Sequence, residues 1–156
     1  MKKIIMAFLL STGVAIGAAA QDKEKQDIPK KDVPEVVQTS LKNSYSSARD
    51  NEWKKKDGKY IAEFEIDGKD HFAGFDANGT LVKKGMEITR EELPSAVIST
   101  IQTAYAADKI DDVYKVEEDG QIKYKVELDG NPDKKLMFSA DGKLLEEKAK
   151  EAAKNK

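Results

Sequence analysis

The 156-residue sequence contains no cysteine, one histidine and one tryptophan. Without cysteine the chain cannot form a disulfide, use a thiolate nucleophile or build a cysteine-ligated metal site. A single histidine, His71, cannot supply a histidine-rich zinc site, and no nucleophile elbow accompanies it for a serine–histidine–acid triad. We therefore predict no catalytic residues, no metal site and no cofactor.

A large excess of one charge is also missing, since 27 Lys and Arg residues stand against 29 Asp and Glu residues. A nearly neutral chain of mixed sign lacks the basic surface that nucleic-acid binding requires. The run Lys54–Lys56 is short and flanked by acidic residues, so we interpret it as a solvated edge rather than a nucleic-acid-binding patch.

The first twenty residues combine a basic start, a short apolar segment and small residues before a cleavage site. These parts are Lys2-Lys3, residues 4–10 with 14–16, and residues 18–20. The pattern predicts a secretory signal peptide, too short for a stable membrane anchor and cleaved between Ala20 and Gln21. We expect a bacterial periplasmic or secreted protein that is soluble after cleavage and does not insert stably into a membrane.

Residues 60–75 predict a β-hairpin. Apolar and polar residues alternate along 60–66, the period of a strand with one buried face. Asp67-Gly68 follows at once, and this dipeptide suits a type I′ turn, in which both central residues have positive φ. A two-residue turn here sets Phe64 opposite His71 and Ala62 opposite Ala73.

A helix precedes this hairpin and further strands flank it. Apolar residues spaced by three and four predict an amphipathic helix over Val33–Ser47, with Asp32 and Glu35 forming a capping box. Strands are predicted at Glu52–Lys56 and Thr80–Lys84, the latter with Leu81 pointing inward. The unit is thus a helix followed by four antiparallel strands.

The same unit recurs about sixty residues later, which indicates an internal duplication. Matching positions are Pro34 and Pro94, Val37 and Val97, Leu41 and Ile101, and Tyr45 and Tyr105 at an offset of 60; Phe64 and Val126, and Ile66 and Leu128, at 62; and Phe75 and Phe138, Gly79 and Gly142, and Leu81 and Leu144 at 63. Two points stay open. Thr89 and Glu92 form a second possible capping box, which would place Pro94 inside the helix, and Trp53 matches either Val113 or Lys115.

The fold class predicted is α+β, with two tandem repeats that each pack a helix on a four-stranded antiparallel sheet. We expect one continuous sheet with both helices on one face. The predicted segments are a signal peptide at 1–20, a flexible leader at 21–31, repeats at 32–88 and 89–147, and a charged tail at 148–156.

Two proline-led helices that end in tyrosine, Asp-Gly hairpins and a Phe-(Asp/Ser)-Ala-(Asn/Asp)-Gly turn follow the signal peptide. In this combination, over Val33–Lys84 and Leu93–Glu147, the chain resembles the PepSY-like, β-lactamase-inhibitor-like periplasmic proteins. The resemblance implies a tandem helix-on-sheet fold and no enzymatic activity. Relatives with this fold include protein inhibitors that use the open sheet face and its loops.

Strand alternation assigns a second set of residues to the uncovered face of the sheet. The candidate partner-binding residues are Ile61, Glu63, Glu65, Phe72, Lys123, Lys125 and Met137. The first half of this face is acidic around two apolar residues and the second half is mostly basic, a pattern that can mark a partner surface. The alternative is a solvated sheet with cross-strand ion pairs.

We therefore predict an exported binding or inhibitor-like module for an envelope protein or peptide. The alternatives are an envelope protein that binds a small ligand or metal weakly, and a structural or stress protein. A hydrolase ranks third, because no nucleophile–base pair is visible. Asp76–Gly79 superficially resembles a calcium loop, but it lacks the third acidic ligand and the closing glutamate, so a tight turn is expected.

Overall fold

Within residues 25–149, nine antiparallel strands form one sheet in which the order of strands is their order along the chain. The computed structural model describes residues 25–149. The elements are β1 (Gln26–Ile28), α1 (Glu35–Ser44), β2 (Arg49–Lys56), β3 (Lys59–Ile66), β4 (Lys69–Phe75), β5 (Leu81–Glu87), α2 (Ser95–Ala104), β6 (Lys109–Glu118), β7 (Gln121–Asp129), β8 (Lys134–Ser139) and β9 (Leu144–Ala149). The predicted signal peptide, its cleavage site and residues 150–156 of the predicted tail lie outside the described residues.

Pairing between β5 and β6 joins the two repeats into the continuous sheet that the sequence predicts. Lys83 pairs with Glu118, Gly85 with Val116 and Glu87 with Tyr114. Each repeat contributes one helix and four strands, β2–β5 and β6–β9. The predicted α+β fold with two tandem repeats is therefore confirmed.

Strand β1 lies in the segment expected to be a flexible leader. Its residues pair with the outer edge of β2, where Ile28 lies opposite Trp53. A 3₁₀ turn at Lys30–Asp32 then connects β1 to the helix region. Only one of the three β1 residues is apolar, so apolar periodicity gives no signal here. The strand is held by backbone pairing to β2 and by Ile28, which packs against the core beneath α1.

Both helices begin directly after a proline. Pro34 precedes α1, and no side chain caps the helix, so the predicted Asp32–Glu35 capping box is wrong. The helix is also shorter at both ends than the predicted Val33–Ser47, since it spans Glu35–Ser44. Proline suits this position, since its fixed φ matches the first helical turn and its missing N–H would have no helical acceptor.

The second capping box exists, but it does not start α2. The Thr89 backbone N–H donates to Glu92 at 2.8 Å, and the Thr89 side chain accepts from the Glu92 backbone. This box caps a 3₁₀ turn at Arg90–Glu92, after which Pro94 precedes α2 as Pro34 precedes α1. Pro94 therefore lies at the start of the helix, and both signals are satisfied by successive elements.

Each helix covers its own hydrophobic core. The first core comprises Val33, Val37, Leu41, Trp53, Tyr60, Ala62, Phe64, Ala73 and Phe75. The second comprises Ile88, Leu93, Val97, Ile101, Val113, Val126, Leu128, Leu136 and Phe138. Phe64 and Val126 are both buried, as the duplication predicts. Leu81 pairs with the buried Phe75, on the side predicted for it, but it is 37% exposed and does not belong to the first core.

Both helices lie on one face of the sheet, which we term the helix face. Residues paired directly across strands share a face. One such row crosses six strands and connects the two cores, and its members are Phe64, His71, Met86, Lys115, Tyr124 and Phe138. Because Phe64 lies under α1 and Phe138 under α2, both helices cover the same side.

Register and burial identify different residues of the second repeat as the equivalent of Trp53. Trp53 pairs with Ala62 and Lys115 with Tyr124, so the register relates Trp53 to Lys115. Lys115 is exposed, and Val113 is the β6 residue that enters the second core. Each alternative from the sequence thus describes one aspect of the structure.

A glycine in each repeat lies directly beneath the start of a helix. Gly79 and Gly142 both have φ of 83° and stand in the turns that lead to β5 and β9. A Cβ on Gly79 would lie 2.7 Å from the Ser40 hydroxyl oxygen, and one on Gly142 would lie 2.6 Å from the Ala96 carbonyl oxygen. The repeated turn motif therefore ends in glycine both for its backbone conformation and for the close approach of the helix.

Candidate functional site

The side of the sheet opposite the helices, termed the open face, is the candidate site. The pairing register places on it Ile61, Glu63, Glu65, Asp70, Phe72, Lys83, Gly85, Glu87, Tyr114, Val116, Glu118, Lys123, Lys125, Glu127, Lys135 and Met137. All seven candidate residues from the sequence lie on this face. Their participation in binding remains a prediction.

A central cluster on the open face contains Phe72, Gly85, Tyr114 and Val116, from three adjacent strands. The Phe72 ring lies over Gly85, since a Cβ built there would be 2.3 Å from a ring carbon. Phe72 and Tyr114 have ring centroids 6.2 Å apart at an interplanar angle of 54°, and Val116 is only 1% exposed. The cluster joins residues of both repeats, and it leaves Phe72 less exposed than the alternation pattern predicts.

Gly85→Ala is expected to lower the free energy of unfolding by about 1–3 kcal/mol, because the added methyl must displace the Phe72 ring. In a Phe72→Ala background the ring is gone, so the same change should be nearly neutral. Urea unfolding of the single and double variants measures this coupling, which we expect to exceed about 1 kcal/mol.

Gly74→Ala is the matched control for this cycle, since Gly74 also lies on the open face and its Cβ would meet Lys83 at an ordinary 3.5 Å. It should show no coupling to Phe72→Ala. Additive costs for Gly85→Ala and Phe72→Ala would contradict the packing of the ring on Gly85.

Glu63 binds two lysines at the β1–β3 side of the open face. Its carboxylate lies 2.5 Å from the Lys54 ammonium and 3.3 Å from the Lys25 ammonium. Burial alone would raise the pKa of Glu63, but the hydrogen bond from Lys54 and the charge of Lys25 outweigh it and lower the pKa. Glu63 is therefore ionised and already paired.

Two further glutamates of the open face each contact two lysines. Glu118 lies 3.4 Å from Lys83 and 3.0 Å from Lys123. Glu127, which is 9% exposed, lies 2.6 Å from Lys125 and 3.4 Å from Lys135. The lysines of this half therefore remain in excess, as the sequence predicts, but each of them contacts a carboxylate. Glu118 arrives from β6, which the sequence interpretation did not assign to this face.

Three carboxylates form an acidic row across β3, β4 and β5, namely Glu65, Asp70 and Glu87. Glu65 pairs with Asp70 in register, and the Asp70 backbone N–H donates to the Glu87 carboxylate at 3.4 Å. Within residues 25–149, no lysine or arginine side chain forms an ion pair with any of the three. Tyr114 stands next in this row, and burial together with the negative charges of Asp112, Asp70 and Glu87 raises its pKa.

His71 lies on the helix face, as predicted, and opposite Phe64. The two rings are stacked, with centroids 5.8 Å apart and an interplanar angle of 10°, and burial lowers the pKa of His71. Its imidazole is therefore part of the packing between sheet and helix, remote from the open face.

The Asp76 turn is a tight turn, as predicted. One Asp76 carboxylate oxygen accepts 2.9 Å hydrogen bonds from the backbone N–H groups of Asn78 and Thr80. Within the described part of the chain, no three His, Cys, Asp or Glu side chains are arranged to hold a metal ion. Neither described helix has the length and apolar composition needed to cross a bilayer.

Crystal structures of bacterial proteins share this fold. A protein named as periplasmic from Bacteroides eggerthii has a TM-score of 0.68 and 22% identity, covering 75% of this chain and 88% of that one. A DUF2874 family protein from Bacteroides uniformis has a TM-score of 0.65 and 24% identity, covering 74% of this chain and 88% of that one. A BLIP-like protein from Bacteroides fragilis has a TM-score of 0.60 and 27% identity, covering 79% of this chain and 90% of that one.

No curated protein matches the sequence. The sequence pattern of one family, described as beta-lactamase-inhibitor-like and PepSY-like, matches it twice, at residues 20–83 and 58–146. These matches span both repeats and most of the chain, and they confirm the family resemblance. This chain therefore belongs to the beta-lactamase-inhibitor-like, PepSY-like family.

Proposed function

We propose that this protein is an exported, non-enzymatic binding module that engages an envelope protein or peptide through its open face. The observation that carries the proposal is the one-sided architecture: both helices cover the helix face, and the open face presents an apolar cluster surrounded by charge. Partner surfaces commonly combine an apolar centre with a polar rim.

Family and sequence support the two other parts of the proposal. The predicted signal peptide indicates export, and the Bacteroides eggerthii relative is named as periplasmic. The family description is inhibitor-like, which favours binding over catalysis. In addition, the packed imidazole of His71 is poorly placed to act as a general base at the open face.

The binding energy is expected to come mainly from apolar side chains that lose all their contact with water, while the charges set rate and specificity. Ile61, Phe72 and Met137 are the apolar members of the predicted set. Phe72 also packs within the central cluster, so Ile61 and Met137 are the better positions for a change that leaves the fold intact.

The proposal is tested with Ile61→Asp/Met137→Asp. The protein and this variant serve as baits for envelope extract of the source bacterium, and retained proteins are quantified by mass spectrometry. A partner of the open face should bind the variant more than tenfold more weakly, a loss of at least about 1.4 kcal/mol. Thermal unfolding of both baits checks that the variant is folded.

Ile122→Asp is the matched control, because Ile122 is 44% exposed and pairs with Glu117 on the helix face. This variant should retain every partner of the unmodified protein. If partners still bind Ile61→Asp/Met137→Asp but no longer bind Ile122→Asp, the binding site lies on the helix face and the proposal is overturned.

A further inference from the structure

The carboxylates of the open face contact lysines, Glu63 included, and among the described residues the acidic row is the exception. On the side of β6–β8, Glu118 and Glu127 each contact two lysines within 3.4 Å. On the side of β3–β5, the acidic row of Glu65, Asp70 and Glu87 has no ion-pair partner within residues 25–149. Arg49 stands opposite Glu65 in register but forms no ion pair with it.

The acidic row ends at the central cluster. Glu87 pairs directly with Tyr114, and Asp70 lies two residues from Phe72 on the same face of β4. The Lys125 ammonium lies over the Tyr114 ring, 4.5 Å from its centroid, and it comes from β7, the strand beyond the cluster. A bound segment can therefore place cationic groups on the row and an apolar group against the rings without crossing a lysine.

We infer that the open face binds a protein or peptide segment carrying two basic side chains followed by an apolar one, with the basic groups on the acidic row and the apolar group on the central cluster. This inference rests on the proposed function and specifies the chemistry of the partner. Cationic groups gain most where acceptors lack internal partners, because no existing ion pair must be broken.

Strand geometry sets the spacing of the segment. Neighbouring strands lie about 4.8 Å apart, so three carboxylates on adjacent strands span roughly 10 Å and Tyr114 follows one strand further. In an extended segment, alternate side chains point the same way and lie roughly 7 Å apart. A Lys-x-Lys-x-Phe pattern crossing the strands therefore matches the row and the cluster.

A second copy of this chain fits the same surface less well. Its lysines at positions 123, 125 and 135 would have to face the acidic row, and all three contact Glu118 or Glu127 within their own chain. Moving them would leave Glu127, the most buried of these carboxylates, with fewer cations around it. The charge pattern favours a partner that brings its own cations.

The probes are two synthetic peptides, Ser-Lys-Ser-Lys-Ser-Phe-Ser and its counterpart with glutamate in place of both lysines. Binding to the ¹⁵N-labelled protein is measured by NMR titration at low and high salt. We expect the lysine peptide to bind at least tenfold tighter than the glutamate peptide at low salt, with the largest shifts on β3–β6. Glu65→Gln/Asp70→Asn/Glu87→Gln should weaken its binding at least tenfold.

A charge-matched control separates this site from general attraction to an acidic protein. Asp57→Asn/Glu91→Gln/Asp119→Asn removes three exposed carboxylates at turns outside the open face, and it should weaken lysine-peptide binding less than threefold. An equal loss in both triple variants, or equal binding of the two peptides, overturns the inference. Concentration-dependent dimers in sedimentation that the open-face triple variant abolishes would assign the surface to a second copy and overturn it as well.

The two proposals fail differently. A captured partner that depends on Ile61 and Met137 but not on the acidic row would leave the proposed function intact and overturn the inference about basic partners. If neither Ile61→Asp/Met137→Asp nor the triple variant of the acidic row weakens binding, both proposals are overturned.

Discussion

Gly142→Ala is expected to lower the free energy of unfolding by about 3 kcal/mol or more. The residue has φ of 83°, a conformation that costs roughly 1–2 kcal/mol for any residue with a Cβ. The new methyl would also lie 2.6 Å from the Ala96 carbonyl oxygen and 2.7 Å from its carbonyl carbon, and these backbone atoms can move only if α2 moves. Overpacking of this kind adds about 1–3 kcal/mol.

Gly120→Ala is the matched control, because Gly120 also has a positive φ, 71°, but no atom lies within 4 Å of the position that its Cβ would take. Gly120→Ala should lower the free energy of unfolding by only about 1–2 kcal/mol. Gly79→Ala should fall between the two, since its closest neighbour is the Ser40 hydroxyl, which can rotate away. Chemical denaturation followed by circular dichroism ranks the three. Equal costs at Gly142 and Gly120 would show that α2 does not press on the turn.

Phe64→Ala is expected to cost about 3–5 kcal/mol, because Phe64 is 5% exposed and its loss leaves a cavity beneath α1. Its ring lies 4.9 Å from the Tyr45 ring and 5.8 Å from the His71 ring, centroid to centroid. Trp53 is the only tryptophan and belongs to the same core, so its fluorescence in denaturant reports unfolding of the first repeat directly.

His71→Gln is the companion variant and should cost far less, about 1 kcal/mol, since it removes one partly buried ring and at most one hydrogen bond. The two variants change residues that face each other across β3 and β4. If His71→Gln lowers the denaturant midpoint more than Phe64→Ala does, the packing of Phe64 under the helix is wrong.

The sequence predicts the hairpin between β3 and β4 in register. Alternation along 60–66 and the Asp67-Gly68 turn set Phe64 opposite His71 and Ala62 opposite Ala73, and both pairs are present. Asp67 and Gly68 have φ of 52° and 76°, the positive values that a type I′ turn requires. Here local chemistry alone determines the pairing, because the turn leaves no freedom in register.

The register between β5 and β6 has no such local signal. A helix intervenes between these strands, so no tight turn sets Gly85 opposite Val116. The contact of Phe72 with Tyr114 and the position of Tyr114 beside Glu87 both depend on that register. Alternation therefore identifies the seven candidate residues of the open face, and it misses the residues that join its two halves.

The order of strands in the sheet has a consequence for how the chain folds. Every strand pairs with the next one along the sequence, and the longest separations between partners are the stretches that contain α1 and α2. Contacts between near neighbours in sequence cost little loop entropy and favour rapid folding. A chain that enters a compartment N-terminus first can complete β1–β5 and the first core before β6 arrives, and the second repeat then assembles on an edge that is already formed.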